Sequence, residues 1–307
     1  MTAKPHDGTR TFFGTKSRAR ALFDAYRRAH AARFYIENLG RLLLPPIVHK
    51  VDWHLGKAEW EYVGDHWPVN DSRSYGWDDS SVVQTFRENW AAYSRTANGT
   101  GALAFWPWST GARDMHAHNV LMTWGYVLSR AAYGRQQMSV LDWGGALGNY
   151  ATVGKALFPE ITLAFTVKER PALCAAGREL LPDVSFTSSD DDCLSRRYDI
   201  VMASNSLQYA EDWRSTTRRL ADAAERWLFI TNVPVVRKSR SFVVVQRPQR
   251  HGLKADYISW VFNYDEFLEH VKGSRLILDR EFLATGSMRY RNAPESSELL
   301  GFLFRRP

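Results

Sequence analysis

From residue 113 to the end of the chain, short apolar segments alternate with helical patterns. Strands are predicted at 138–143, 162–167, 184–187, 199–203 and 227–233, and helices at 114–132, 149–158, 171–181, 212–226 and 264–271. Two further strands, at 276–283 and 299–304, close the chain with only a loop between them. Strands that alternate with helices form parallel sheets covered on both faces. The pattern therefore predicts a doubly wound α/β fold with an antiparallel pair at one edge.

The first 112 residues lack this alternation and predict a mainly helical N-terminal region. A helical stripe recurs at Phe23, Tyr26, His30 and Phe34, before Pro45-Pro46 ends the pattern. A second helix is predicted at 81–97, with one face formed by Val82, Phe86, Trp90 and Tyr93. We therefore expect a region 1–112, acting as a substrate cap or docking arm, and a second domain at 113–307.

The positive charge of the chain is concentrated near its N-terminus. The net charge is +7, but residues 10–41 alone hold eight basic and two acidic side chains. The rest of the chain is thus almost neutral, which argues against a nucleic-acid substrate. The basic arm 10–41 is predicted to dock on an anionic membrane or a partner enzyme, or to pack as a helix on the domain. The sequence does not predict an oligomeric state.

The cysteine count and the absence of long apolar runs predict a soluble cytoplasmic protein. Cys174 and Cys193 are the two cysteines, too few for a disulfide framework or a cysteine-based zinc site. No apolar signal region opens the sequence, and no apolar run approaches the ~20 residues of a membrane span.

A glycine-rich turn follows the first predicted strand of the alternating region. It runs from Asp142 through Gly144 and Gly145 to Gly148, where a helix begins. Glycines let the backbone turn sharply and approach a ligand closely, and the helix start presents free N–H groups. Because the first two glycines are adjacent, the spacing departs from the dinucleotide fingerprint.

Acidic residues follow the next two strands. Glu169 lies 21 residues past Gly148, where an acid can accept both hydroxyls of a ribose. Ser189 and Asp190 follow the third strand, where an adenine amino group can be read. Together with the turn, these residues predict a nucleoside site at one edge of the sheet.

These motifs resemble those of the class I S-adenosylmethionine-dependent methyltransferases over residues 113–307. The fourth-strand segment 198–209 also falls where that fold has a cofactor motif. The resemblance implies a Rossmann-like seven-stranded methyltransferase sheet and S-adenosyl-L-methionine as cofactor. It implies a cofactor site formed by Asp142, Gly144, Gly145, Gly148, Glu169, Ser189, Asp190, Asn205 and Leu207. Ala146 stands where a glycine is common in that superfamily.

A narrower likeness covers most of the chain past residue 40. The sequence is similar to a family of methyltransferases encoded beside glycosyltransferases in surface-polysaccharide gene clusters. The matching segments are 44–47, 60–63, 75–78, 141–145, 206–209, 241–246 and 261–263. This resemblance implies methyl transfer to a sugar, without indicating a specific acceptor.

The segment after the fourth strand bears on the kind of acceptor. Enzymes that methylate base amines resemble one another in an Asn/Asp-Pro-Pro-Tyr/Phe motif there, whereas this chain has Asn205-Ser206-Leu207-Gln208. The sequence thus favours a hydroxyl acceptor, whose proton a base removes during transfer.

The candidate catalytic residues are His116, His118 and Tyr209. The two histidines lie two residues apart, on different faces of the predicted helix, so at most one points inward. The two histidines and Asp114 are not spaced to converge on one metal ion. Glu211-Asp212 is a second candidate metal site, but Asp212 is better explained as a helix cap. We therefore predict no metal.

Two further segments are interpreted as walls of the site. Trp106-Pro107-Trp108 and Arg113 form either a wall beside the cofactor or a rigid plug between regions. The long connection 234–263, which carries several arginines, is predicted to include a lid that meets an acidic acceptor.

The leading hypothesis is an S-adenosylmethionine-dependent methyltransferase that O-methylates a sugar, glycan or small natural product. The alternatives are an RNA methyltransferase, motivated by the net charge, and a catalytically silent scaffold with the same fold.

Overall fold

The computed structural model describes residues 59–69, 71, 77, 80–108, 113–247 and 256–307. The predictions for the basic arm 10–41 and its helical stripe lie outside the described residues. Within the described ranges, no helix is both long and apolar enough to cross a membrane.

Most elements predicted from residue 113 onward are confirmed within a few residues. The helices are α1 (Ser80–Ala97), α2 (Met115–Ala132), α3 (Asn149–Leu157), α4 (Pro171–Leu180), α5 (Asp190–Leu194), α6 (Trp213–Ala223) and α7 (Tyr264–Lys272). The strands are β1 (Trp60–Gly64), β2 (Gln137–Trp143), β3 (Thr162–Lys168), β4 (Ser185–Thr187), β5 (Tyr198–Ser204), β6 (Ala224–Val236), β7 (Phe242–Gln246), β8 (Tyr257–Asn263), β9 (Ile277–Met288) and β10 (Ser297–Arg305). A single 3₁₀ turn covers Leu207–Tyr209. Elements α5, β1, β7 and β8 were not predicted.

Seven strands form the sheet that the sequence predicts, in the order β4-β3-β2-β5-β6-β10-β9. The strands from β4 to β6 are parallel, whereas β10 runs antiparallel to both β6 and β9. Alternate residues of β2 face opposite cores: Val140 packs with one cluster and Leu141 with the other. Trp124 of α2 lies in the first cluster and Trp213 of α6 in the second. The sheet is thus doubly wound.

The strand count of seven is wrong, because the described residues form a ten-stranded sheet. The additional strands are β8, β7 and β1, which extend the sheet from β6. One edge of β6 pairs with β5 as far as Ser204–Thr231, and then with β8 at Val235–Phe262. The extension therefore begins beyond the carboxyl end of β5. The predicted connection 234–263 contains β7 and β8, and its role as a lid stays a prediction.

Helix α1 confirms the apolar face predicted at 81–97. Val82, Phe86, Trp90 and Tyr93 are all buried. The Tyr93 hydroxyl donates to the backbone oxygen of Asn149 at 3.1 Å, at the start of α3. This contact places α1 against the helix that follows the glycine turn. The predicted domain boundary at residue 112 stays a prediction.

Helix α2 begins as predicted, with Asp114 as its N-cap. The Asp114 carboxylate accepts the backbone N–H of His116 at 2.8 Å, which satisfies a helix donor that would otherwise lack a partner. The second carboxylate oxygen of Asp114 accepts the indole N–H of Trp106 at 2.8 Å. The helix cap therefore also fixes an aromatic side chain that lines the cavity described next.

Candidate functional site

A cavity of about 370 Å³ lies at the carboxyl ends of β2, β3 and β5. Parallel α/β sheets bind ligands at this edge because the strands end there in loops and helix starts. Its lining includes Trp143, Gly144, Gly145, Ala146, Asn149, Tyr150, Lys168, Glu169, Arg170, Leu173, Asp190, Ser204, Asn205, Ser206, Glu211 and Thr216, together with the aromatic residues described below.

The glycine turn forms the base of this cavity, and two of its glycines are required by close contacts. Gly144 has φ +78°, and a Cβ there would overlap Ser206, whose hydroxyl donates to the Trp143 carbonyl at 2.7 Å. A Cβ on Gly145 would overlap the carboxyl group of Asp142. Gly148 is the N-cap of α3 and does not line the cavity. The turn thus brings bare backbone to the ligand side.

Asp142 lies directly beneath the turn. Its side chain is fully buried, and neither carboxyl oxygen has a hydrogen-bond partner among the described residues. Burial, together with the nearby Glu169, raises the pKa of Asp142 to about 8. Asp142 is therefore a neutral acid at pH 7 in the ligand-free protein, and a cation bound nearby would ionise it.

Ala146 adopts the left-handed conformation that glycine would favour, with φ +50°. Its backbone N–H donates to Oε2 of Glu169 at 3.0 Å. The turn makes this bond with an alanine in the left-handed conformation, so the loop is able to hold Glu169.

Replacing Ala146 by glycine should stabilise the protein by about 0.5–1 kcal/mol, because the relieved strain exceeds the added entropy of the unfolded chain. Urea unfolding measures the change. As a matched control, Ala175→Gly on the exposed face of α4 should destabilise by about 1 kcal/mol. A destabilised Ala146→Gly variant would contradict the strain argument.

Glu169 lies at the end of β3 and connects the turn to the next loop. Its Oε1 accepts the backbone N–H of Arg170 at 2.8 Å, and its Oε2 accepts that of Ala146. Burial raises the pKa of Glu169, while these backbone hydrogen bonds oppose the rise. Each oxygen retains a second lone pair, so the fixed carboxylate can accept two hydroxyl groups of a ligand.

Of Ser189 and Asp190, only Asp190 is in the cavity lining. The Ser189 hydroxyl accepts the backbone N–H of Asp192 at 3.1 Å and caps α5. Asp190 Oδ1 accepts the indole N–H of Trp143 at 2.7 Å and lies 3.2 Å from Lys168 Nζ. Sequence reasoning missed Trp143 and Lys168, although both end strands that border the turn.

Of the two predicted cofactor residues after the fourth predicted strand, Asn205 and Leu207, one lines the cavity and the other does not. Asn205 lines the cavity with φ +51°, and its side-chain oxygen accepts from Gln208 at 2.7 Å. Leu207 is fully buried and does not line the cavity. The structure thus brings Gly144, Gly145, Glu169, Asp190 and Asn205 to one surface, with Asp142 beneath it.

Aromatic rings form the remaining wall of the cavity. The lining rings are Trp77, Phe86, Tyr93, Phe105, Trp106, Trp108, Trp143, Tyr150 and Tyr209. Trp106 and Trp108 stack with ring centroids 4.8 Å apart and planes 7° apart, which supports the predicted wall. Tyr209 contacts Trp77 edge-on at 5.1 Å. This half of the cavity suits a ligand with a flat or apolar face.

The three candidate catalytic residues occupy different surroundings. His118 Nδ1 lies 3.0 Å from the Leu103 carbonyl, and His116 Nε2 lies 2.7 Å from Asn232 Oδ1; neither histidine is in the cavity lining. Burial lowers the pKa of His116, so its ring is neutral near pH 7. Tyr209 lines the cavity and donates to Gln246 Oε1 at 3.2 Å. The structure therefore brings only Tyr209 of the three to the cavity.

Asp212 and Glu211, the second candidate metal site, lie in different surroundings. Asp212 caps α6 by accepting the N–H of Ser215 at 2.9 Å, while Glu211 lines the cavity. In the described part of the chain, no group of three or more His, Cys, Asp or Glu side chains is arranged to hold a metal ion.

Comparison with known proteins identifies the fold. No family model and no curated protein matches the sequence. The solved 4+2 cyclase SpnF is 14% identical, with a TM-score of 0.50 over 79% of this chain and 99% of that chain. An O-methyltransferase from a trans-AT PKS multienzyme of Brevibacillus brevis, solved with S-adenosyl-L-homocysteine, is 10% identical, with a TM-score of 0.46 over 61% of this chain and 71% of that one. An S-adenosylmethionine-dependent methyltransferase from Clostridium acetobutylicum is 9% identical, with a TM-score of 0.41 over 61% of this chain and 92% of that one.

At such identities a likeness bears on the fold alone. The likeness to SpnF, together with the strand order, confirms the predicted Rossmann-like α/β class.

Proposed function

We propose that this protein is an S-adenosylmethionine-dependent methyltransferase that methylates a hydroxyl group of a sugar, a glycan or another small natural product. The observation that carries the proposal is that the glycine turn and the carboxylates of Glu169 and Asp190 line one cavity. The Glu169 carboxylate is bound to the turn itself, through the Ala146 N–H. This arrangement suits an adenosine group, with its two ribose hydroxyls and its amino group.

The residues also fit the amino-acid part of the cofactor, whose ammonium group is positively charged. Asp142 is a buried carboxyl group whose oxygens lack partners among the described residues, and it lies under the close-approaching backbone of Gly145. Such a group is costly in the ligand-free protein, and a cation compensates it. We propose that Asp142 supplies the negative charge for this part, while Gly144 and Gly145 allow the cofactor to approach the backbone.

When bound, S-adenosylmethionine supplies an electrophilic methyl group on its sulfonium. The protein's part in such a transfer is to align the acceptor oxygen with the methyl group and to exclude water. The aromatic wall fits both tasks because it is apolar and because the Asp114 carboxylate fixes Trp106, on which Trp108 stacks. Sugar rings and flat natural products both present apolar faces to such rings.

Tyr209 is proposed to orient the acceptor hydroxyl. Burial raises the pKa of Tyr209 well above its ordinary value, so the phenol stays protonated. Its proton is directed to Gln246, and its oxygen keeps a lone pair that can accept the acceptor's O–H. Glu211, two residues further on in the same lining, offers a carboxylate on this side of the cavity.

The proposal is tested by calorimetric titration with S-adenosylhomocysteine, followed by mass spectrometry of candidate sugars and metabolites incubated with labelled cofactor. We expect one saturable site and transfer of one labelled methyl group to a hydroxyl. No binding would overturn the proposal. Binding without transfer to any candidate would favour the silent scaffold, and labelled RNA would favour the alternative acceptor.

Tyr209→Phe should lower the rate of methyl transfer about fivefold to tenfold without changing the affinity for S-adenosylhomocysteine, because one orienting hydrogen bond is lost. Steady-state kinetics with the identified acceptor measure the rate. His118→Ala serves as the comparison, and its rate should stay within about twofold, since His118 does not line the cavity. A large loss in His118→Ala alone would instead identify His118 as the base.

A further inference from the structure

Trp143 and Lys168 act on the same oxygen of Asp190. The two residues end the neighbouring strands β2 and β3, where they are directly paired in the sheet. Trp143 donates its indole N–H to Asp190 Oδ1 at 2.7 Å, and Lys168 Nζ lies 3.2 Å from that oxygen. Lys168 Nζ also lies 4.9 Å from the centroid of the Trp143 ring. All three side chains line the cavity.

These contacts fix which oxygen of Asp190 stays available. Trp143 and Lys168 are largely buried, while the Asp190 side chain is 39% exposed. Both donors engage Oδ1, and Oδ2 receives no hydrogen bond from the part of the chain that the structure describes. A carboxylate held by one oxygen cannot rotate freely, so it presents the other oxygen as a fixed acceptor.

Lys168 is held in the same way. An ammonium group beside a bound purine could donate to a 6-oxo group and so favour a 6-oxo purine over adenine. Here the ammonium is committed to Asp190 and to the face of the Trp143 ring. The cavity therefore offers a purine a fixed acceptor, and its neighbouring cation is already occupied.

We infer that Trp143 and Lys168 are positioning residues that hold Asp190 to recognise the 6-amino group of adenine, and so make the site specific for adenosyl over inosyl cofactors. This inference rests on the proposed function. An amino group donates to the carboxylate, whereas a 6-oxo group places an acceptor against an acceptor. Sites that pair a ligand group in this way reject analogues lacking it because a polar group is left unpaired.

The experiment compares S-adenosylhomocysteine with S-inosylhomocysteine, its 6-oxo analogue, by calorimetric titration of the full chain. The wild-type protein should prefer the adenosyl ligand by at least about tenfold, because a 6-oxo group leaves Asp190 Oδ2 without a donor. Trp143→Phe should lower that preference about fivefold, because the orienting N–H is lost. Lys168→Met should lower it similarly, because the second donor to Oδ1 is lost.

Trp227→Phe is the matched control. Trp227 and Trp143 are both 8% exposed, and each has a cation over its ring, which is Arg130 for Trp227. The Trp227 N–H has no partner among the described residues, and Trp227 does not line the cavity. This variant should keep the wild-type preference.

The outcomes separate the inference from the proposed function. A wild-type protein that binds neither ligand overturns the proposed function and the inference with it. A wild-type protein that binds both equally overturns the inference alone, as does an unchanged preference in Trp143→Phe and Lys168→Met. Equal weakening of both ligands in these variants would mean a purely structural role and would also overturn it.

Discussion

Replacing Glu169 by alanine should weaken the binding of S-adenosylhomocysteine about a hundredfold. The carboxylate is fixed by the N–H groups of Ala146 and Arg170, so it can accept two ribose hydroxyls without further ordering. Hydrogen bonds to a charged group contribute roughly 1.5–3 kcal/mol each, and two of them account for such a loss. Calorimetric titration at pH 7 measures the dissociation constant.

Two controls define what this loss means. Glu179→Ala on α4 removes an exposed carboxylate that pairs with Arg87 outside the cavity, and its affinity should equal that of the wild-type protein. The 2′-deoxy analogue of S-adenosylhomocysteine should bind more weakly than the parent to the wild-type protein but not to Glu169→Ala. If the variant still distinguishes the two ligands, Glu169 does not bind the ribose.

Asp142→Asn should make the ligand-free protein more stable, by roughly 2–4 kcal/mol at pH 8. The pKa of Asp142 is about 8 in the folded protein, above the ordinary value of 3.8. Between these values the unfolded chain is ionised while the folded protein stays protonated, so rising pH favours unfolding. The contribution of Asp142 to the free energy of unfolding of the wild-type protein is therefore lost progressively from about pH 4 to pH 8. The asparagine variant avoids this loss.

Urea unfolding at pH 5.5 and pH 8 tests the sign of this pH dependence. The advantage of Asp142→Asn should grow by roughly 1 kcal/mol per pH unit over this range. Asp183 is an opposite case, because Lys155 lowers its pKa. The stabilising effect of Asp183 is present above the unfolded pKa and lost at lower pH, so Asp183→Asn should show no advantage at pH 8. A pH-independent difference for Asp142→Asn would contradict the buried neutral acid.

If Asp142 binds the cofactor as proposed, binding should be coupled to proton release. A cation that ionises Asp142 releases a proton near pH 7, so the measured binding enthalpy of S-adenosylhomocysteine should depend on the ionisation enthalpy of the buffer. Asp142→Asn should lose that dependence and bind more weakly.

The sequence predicted the part of the site that is proposed to bind the cofactor better than any other part. Glycine spacing, strand ends and acids are local signals, and the strands that carry them are parallel and adjacent. This is why Gly144, Glu169 and Asp190 meet in one cavity. Ser189 and Leu207 do not line the cavity, because the Ser189 side chain caps a helix and the Leu207 side chain packs in the core. These contacts depend on the orientation of single side chains, which the spacing of residues along the sequence does not determine.

The contacts of the three candidate catalytic residues join distant segments of the chain. Gln246 reaches Tyr209 over 37 residues, and Asn232 reaches His116 over 116 residues. No sequence period records such pairs. Strands β7 and β8 were missed because their apolar runs lie in a segment interpreted as one long connection. The position of His118 was likewise unpredictable, since its carbonyl partner lies on a loop without a motif.

Part of the aromatic wall rests on the three-strand extension of the sheet. The residues proposed to bind the cofactor lie at the carboxyl ends of β2, β3, β4 and β5. Tyr209 also follows β5 but donates to Gln246 of β7, and Trp77 stacks on Tyr257 of β8. The three-strand extension joins the rest of the sheet at the register pairs of β6 with β8. Substitutions in the extension should therefore change the surroundings of Tyr209 and Trp77 while leaving the residues proposed to bind the cofactor in place.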